Sequence, residues 1–188
     1  MEIKNNYLIN GKTVLFYGEC FENGESFTHV VEGDKEFLVA MSPVKLIDQS
    51  LMSYGSNFSG ALKSSKKQLG DNKCMYPIKI DATLDIWLFP TKSYKKENCV
   101  WFNLNHVKNP EALGVKFTRV FLSYGHTIEI AMKASAFRDK RQSAQDLKDM
   151  ITSNTKNSLG RSDEPVKGFI IVEKKGRYSC KSKRNKEK

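Results

Sequence analysis

Turn-forming residues punctuate the first forty positions at short intervals, and that spacing leaves little room for anything but an antiparallel β-meander. Tyr7-Leu8-Ile9 and Thr13-Val14-Leu15-Phe16 flank Asn10-Gly11, a pair that tolerates the positive φ angles of a tight hairpin. Glu22-Asn23-Gly24-Glu25 and Glu32-Gly33-Asp34-Lys35 mark two further turns, with Phe27-Thr28-His29-Val30-Val31 and Phe37-Leu38-Val39-Ala40 between and after them. Four short strands follow. A chain of 188 residues can bury one good core, so the meander is expected to open a single domain over residues 1–172.

Ser42-Pro43 then starts a helix over residues 43–53. Serine suits the N-cap, and proline is tolerated in the first turn, where its missing N–H is no loss. Val44, Ile47 and Leu51 share one face. From Pro77 the β pattern resumes with Ile78-Lys79-Ile80, Ile86-Trp87-Leu88-Phe89 and Val100-Trp101-Phe102-Asn103-Leu104, then a longer hairpin from Val115 to Met132. A second helix is predicted over residues 135–153, with Phe137, Ala144, Leu147, Met150 and Ile151 as its apolar stripe. Residues 154–165 read as a loop and 166–172 as a last strand. The expected class is therefore α+β: a β-rich single domain of antiparallel strands and hairpins with two helices.

Net charge is +10, and it is concentrated. From Glu173 to Lys188 eight Lys or Arg face two Glu, which reads as a basic, disordered tail over residues 173–188. Between Ala61 and Lys79 only Asp71 opposes Lys63, Lys66, Lys67, Lys73 and Lys79. Two basic clusters on a balanced body suggest a footprint for phosphates or acidic lipid, although solvated loops carry the same signature. The segment ahead of the second cluster, Tyr54-Gly55-Ser56-Asn57-Phe58-Ser59-Gly60-Ala61, sets glycines that admit close backbone approach beside aromatics and lysines. The partner that suits such a surface best is a polyanion, and the chain reads as a DNA-binding protein.

Other classes fit poorly. No stretch reaches the ~20 apolar residues of a membrane span, and Met1-Glu2-Ile3-Lys4-Asn5-Asn6 lacks the apolar core of a secretory signal. Cys20, Cys74, Cys99 and Cys180 are scattered with no Cys-x-x-Cys pair, which suits a reducing cytosol. His29, His106 and His126 have no Cys, Asp or Glu at metal-ligand spacing, so each is expected to be structural. Phosphate-loop, nucleophile-elbow and dinucleotide motifs are all missing. No metal, no cofactor and no enzymatic activity are expected. Cys99 should be a buried thiol, Trp87, Phe89 and Trp101 core or subunit interface, and Phe58 either core packing or a wedge.

Four blocks in order carry a family resemblance. They are Met41-Ser42-Pro43-Val44-Lys45-Leu46-Ile47-Asp48-Gln49-Ser50, Tyr54-Gly55-Ser56-Asn57-Phe58-Ser59-Gly60, Pro77-Ile78-Lys79-Ile80-Asp81 running into Trp87-Leu88-Phe89-Pro90-Thr91, and Cys99-Val100-Trp101 with His106-Val107. On these the chain resembles the ComK family, competence transcription factors of Gram-positive bacteria. The resemblance implies a cytoplasmic, nucleoid-associated activator of DNA-uptake genes at promoters with paired A/T-rich boxes. It further implies minor-groove contact with double-stranded DNA, homodimers that combine on DNA, recruitment of RNA polymerase, and turnover through an adaptor of the Clp protease.

The minor groove shows nearly the same acceptors for A·T and T·A, so a reader there relies on width, potential and deformability. On that footing Ser56 and Asn57 are candidates to bond adenine N3 or thymine O2, while a loop or helix cap would use the same residues. Lys63, Lys66, Lys67 and Lys73 are candidate phosphate contacts. Arg138 and Arg141, three apart on one helix, make a second candidate clamp or a plain solvated face, and Lys181, Lys183 and Arg184 suit non-specific contact. Two rivals remain open: a single-stranded DNA or RNA-binding module built on exposed aromatics, and an interaction protein whose basic tail only aids solubility.

Overall fold

The computed structural model describes residues 1–20, 24–96, 98–158, 169–174 and 177–182. Strands β1 (Ile3–Lys4), β2 (Thr13–Cys20), β3 (Ser26–Glu32) and β4 (Lys35–Val39) precede helices α1 (Pro43–Ser53) and α2 (Phe58–Leu69). Then come β5 (Ile78–Asp81), β6 (Ile86–Pro90), β7 (Val100–Asn103), β8 (Val107–Leu113), β9 (Phe117–Leu122), β10 (Thr127–Ile130) and α3 (Ala134–Ser158). Seven strands form one sheet in the order β1-β4-β3-β2-β7-β6-β5, and β10-β9-β8 form a second. All pairs are antiparallel except β1 with β4. A separate compact unit from Lys156 to Lys188 contains the hairpin of β11 (Phe169–Lys174) and β12 (Arg177–Ser182). The α+β class with mostly antiparallel strands is as read from the sequence.

Side-chain alternation divides the core in two. Phe16, Ile86, Leu88 and Trp101 face one cluster with Leu46, Ile47 and Leu51 of α1. Trp87, Phe89 and Phe102 face the other with Phe137, Ala144 and Leu147 of α3. Successive strand residues point to opposite faces, so a fully apolar run such as Ile86–Pro90 means both faces are covered. Phe137 meets Phe89 and Phe102 edge-on, with ring centroids 5.6 and 5.3 Å away. The three histidines are structural: His106 bonds the Gly11 carbonyl at 2.8 Å and His126 the Gly33 carbonyl at 2.6 Å, while His29 lies between Glu19 and Glu36.

Four expectations need correction. There is a third helix, α2, where two helices in all were expected and none over residues 58–69. Residues 7–9 form no strand: Asn10 accepts from the Lys12 amide and donates to the Leu8 carbonyl, making a side-chain-closed turn, and the Ile9 amide bonds Ser50 Oγ on α1. The edge of the sheet is instead β1, parallel to β4. Met150 leaves the α3 stripe and is exposed. The loop expected from 154 begins inside α3. Residues 22 and 23 of the second turn, 159–168, and residues 175–176 and 183–188 of the basic tail lie outside the described residues, Lys183 and Arg184 among them.

Candidate nucleic-acid interface

The glycines of the Tyr54 to Gly60 segment have local work. Gly55, with φ of +77°, ends α1: its amide bonds the Met52 carbonyl and the Ser56 amide bonds the Leu51 carbonyl, the paired closure of a Schellman stop. Two residues later Asn57 starts α2, its side-chain oxygen accepting from the Gly60 amide at 2.8 Å. A four-residue turn therefore separates the helices. Asp48 of α1 accepts from the Phe58 amide at 2.8 Å, and the Tyr54 hydroxyl donates to the Ile9 carbonyl at 3.1 Å, which pins the turn from both sides.

Helical geometry sorts α2 into two faces. Phe58, Ala61, Leu62, Ser65 and Leu69 turn inward, and buried Ser65 donates to the Pro77 carbonyl at 2.7 Å at the start of β5. Lys63, Lys66 and Lys67 are exposed, and their positions span about 100° of the opposite surface. Lys66 Nζ stands 5.7 Å above the Tyr76 ring. Among the described residues none of Lys63, Lys66, Lys67 and Lys73 forms an ion pair. Their charge is available to a partner.

Ser56 and Asn57 are exposed at the head of this face. The cap uses the Asn57 carbonyl oxygen, so its amide nitrogen remains to donate toward base-edge acceptors. Lys73 donates to Ser143 on α3 at 2.7 Å. Lys140 beside it approaches Met75 sulfur at 3.6 Å, and its burial lowers the ammonium pKa despite the nearby Cys99 and Cys74 thiols. Thus Lys73, in the segment between α2 and β5, is tied to one flank of α3.

Arg138 and Arg141 are not brought into that group. Arg138 donates to the Pro110 carbonyl on β8, and Arg141 lies about 160° around α3 from Ser143. Their flank also carries Lys148, which pairs with Asp85 at 2.8 Å. Phe58 is half-buried and meets Tyr94 edge-on at 5.3 Å, so packing accounts for it and no wedge is needed.

That contact exposes a cluster the sequence reading passed over. Tyr94 belongs to the loop between β6 and β7, which carries Lys92, Lys95 and Lys96. Thr91 closes the loop base by bonding the Val100 amide with its hydroxyl and the Val100 carbonyl with its own amide, at 3.0 and 2.9 Å. Cys99 is buried and donates to the Lys92 carbonyl at 3.3 Å, and burial pushes its thiol pKa up. Three lysines in five residues was a charge signal available from the sequence; their place beside the start of α2 was not.

The profile of a family described as ComK protein matches residues 4–156. A competence transcription factor of Bacillus subtilis (strain 168) is 30% identical over 135 residues, covering 72% of this chain and 69% of that protein. No solved structure matches.

Proposed function

Since the chain belongs to the ComK family of transcription factors, and is not an enzyme, we propose that it activates competence genes by binding A/T-rich duplex DNA through α2 and the turn before it. The observation that carries this reading is the outward face of Lys63, Lys66 and Lys67, fixed on a helix anchored from within and, among the described residues, free of acidic partners. Phosphate contacts of this kind position a protein, while donors at the groove floor specify sequence. Asn57 Nδ2 and Ser56 Oγ supply such donors for adenine N3 and thymine O2 in the minor groove. Homodimers combining on paired boxes, recruitment of RNA polymerase, turnover through a Clp-protease adaptor and action in the cytoplasm belong to the same reading. Among the described residues no helix is long and apolar enough to cross a membrane.

Single-strand stacking is disfavoured by burial. Trp87, Phe89, Trp101 and Phe102 are at most 1% exposed, so none of these four rings is open to stack on a base. A gel shift on paired A/T boxes, with their separation stepped by half and whole helical turns, is the test. Affinity should peak at whole turns, and netropsin, which occupies the minor groove, should displace the protein. Binding indifferent to netropsin removes the minor-groove assignment, and equal binding to single strands favours the stacking module.

A further inference from the structure

An antiparallel sheet with one solvated face commonly alternates apolar-in and polar-out. Strand β9 breaks that rule. Thr118, Val120 and Leu122 are buried, the last two within the cluster that α3 closes, while Phe117, Arg119 and Phe121 point the other way. Leu113 of β8 stands opposite Phe117 and shares the outward face, and Val115 sits in the turn between the two strands. Phe117 is 51% and Val115 75% exposed, and Leu113, Phe117 and Phe121 belong to neither core cluster. Single exposed apolar side chains need no explanation, but four on one face and its turn form a patch.

The charges of the same face lie in one row. Register sets Glu111, Arg119 and Glu129 side by side on β8, β9 and β10. Arg119 donates to Glu129 through both Nε and a terminal nitrogen, at 3.2 and 2.7 Å. Glu111 forms no ion pair among the described residues. With Lys116 in the turn, two cations meet two carboxylates, so this face is neutral on a chain of net charge +10. A polyanion gains no net attraction there, whereas two copies of so basic a chain repel each other least through it. Phenylalanine and arginine are also among the residues enriched in protein interfaces. A twofold contact is self-complementary, and offsetting the facing rows by one strand sets Glu111 of each copy against Arg119 of the other.

We infer that the outward face of β8, β9 and β10 is the surface through which two copies of this chain meet, with Phe117 as its main apolar anchor. The inference rests on the reading in which copies combine on paired boxes, and it names the face they use. Three strands at ~4.8 Å spacing and five residues at ~3.4 Å make roughly 240 Å² of sheet face, well under the ~800 Å² per partner of a standard interface. The pair is therefore weak in solution and is completed on DNA, where a copy bound next door stands at high effective concentration.

The test reads self-association without DNA, in an ¹⁵N-correlation NMR dilution series of the full chain. The Phe117 and Phe121 amide signals and the Arg119 Nε signal should shift with protein concentration up to about 1 mM, while the α2 amides stay put. Phe117→Ser, which leaves the charge unchanged, should weaken the association at least about tenfold, as loss of an interface anchor does. Val115→Ser is the second variant if a thermal melt shows the first to be unfolded. On a duplex with paired A/T boxes, the substitution should abolish cooperative entry of the second copy and keep the single-box affinity. No association up to about 1 mM, or association that neither substitution weakens, overturns the interface. A folded variant that loses single-box affinity overturns it too, because the patch then touches DNA. If the wild type associates through this face yet binds no A/T-rich duplex, the α2 reading alone fails.

Discussion

Replacing Lys63, Lys66 and Lys67 together by glutamine removes three charges from one face of α2 and leaves its buried side chains untouched. Each neutralised phosphate contributes about 0.9 to the slope of log affinity against log salt. The triple variant should therefore bind an A/T-rich duplex with a slope shallower by about 2.7. Between about 50 and 200 mM salt, a fourfold change, that difference alters the affinity ratio of wild type to variant by about 40-fold. Stability should move much less. Lys66 loses a cation–π contact to Tyr76 worth about 0.5–1 kcal/mol at an exposed site. Lys66 and Lys67 also sit in the last turn, where each cation contributes about 0.3–1 kcal/mol against the helix dipole. Glutamine is a fair helix former, so the far-ultraviolet circular dichroism spectrum should be unchanged. The assay is a fluorescence-anisotropy titration at four or more salt concentrations, with a thermal melt as control. A folded variant whose slope changes by less than one contact, about 0.9, would refute α2 as the phosphate-contacting face.

Three further outcomes are expected. Asn57→Ala should lower stability by about 1 kcal/mol through loss of the α2 cap. Asn57→Ser should keep the cap yet weaken duplex binding at unchanged salt slope if the amide nitrogen reads a base, and urea denaturation with anisotropy separates the two effects. Asp85 is partly buried, which alone would raise its carboxyl pKa. Hydrogen bonds from Lys148, Trp87 and Asn105 outweigh this and hold it below the ordinary 3.8. Its contribution to stability is thus complete above about pH 4 and is lost as pH falls through the lower folded value, so urea midpoints measured from pH 5 to 2 should fall less in Asp85→Asn than in wild type. Phe137→Ala empties the space between Phe89 and Phe102 and should cost about 3–5 kcal/mol, read as a shifted urea midpoint with little change in DNA-binding slope.

What the sequence determined by itself was whatever depends on neighbours along the chain. Turn residues on either side of Phe27–Val31 and the apolar run Ile86–Phe89 revealed strands, Ser42-Pro43 with Val44, Ile47 and Leu51 revealed α1, and charge counting found the lysines after Ala61. The helix α2 carried a usable pattern as well, with Asn57 as cap and Phe58, Ala61, Leu62, Ser65 and Leu69 on one face. Its glycine, three serines and single strong aromatic made that stripe faint, since these residues have weak intrinsic helix preference. Tertiary structure alone decided which charges stand together. Ser65 is buried because the Pro77 carbonyl waits for its hydroxyl, and that contact turns three lysines outward. Lys73 reaches Ser143, whereas Arg138 is held against Pro110 on the opposite flank of the same helix. Tyr94 meets Phe58 only once β6 and β7 have paired. Secondary structure follows short-range periodicity, but the grouping of charges on one surface follows from which side of each helix is desolvated, and partners far away in the chain settle that.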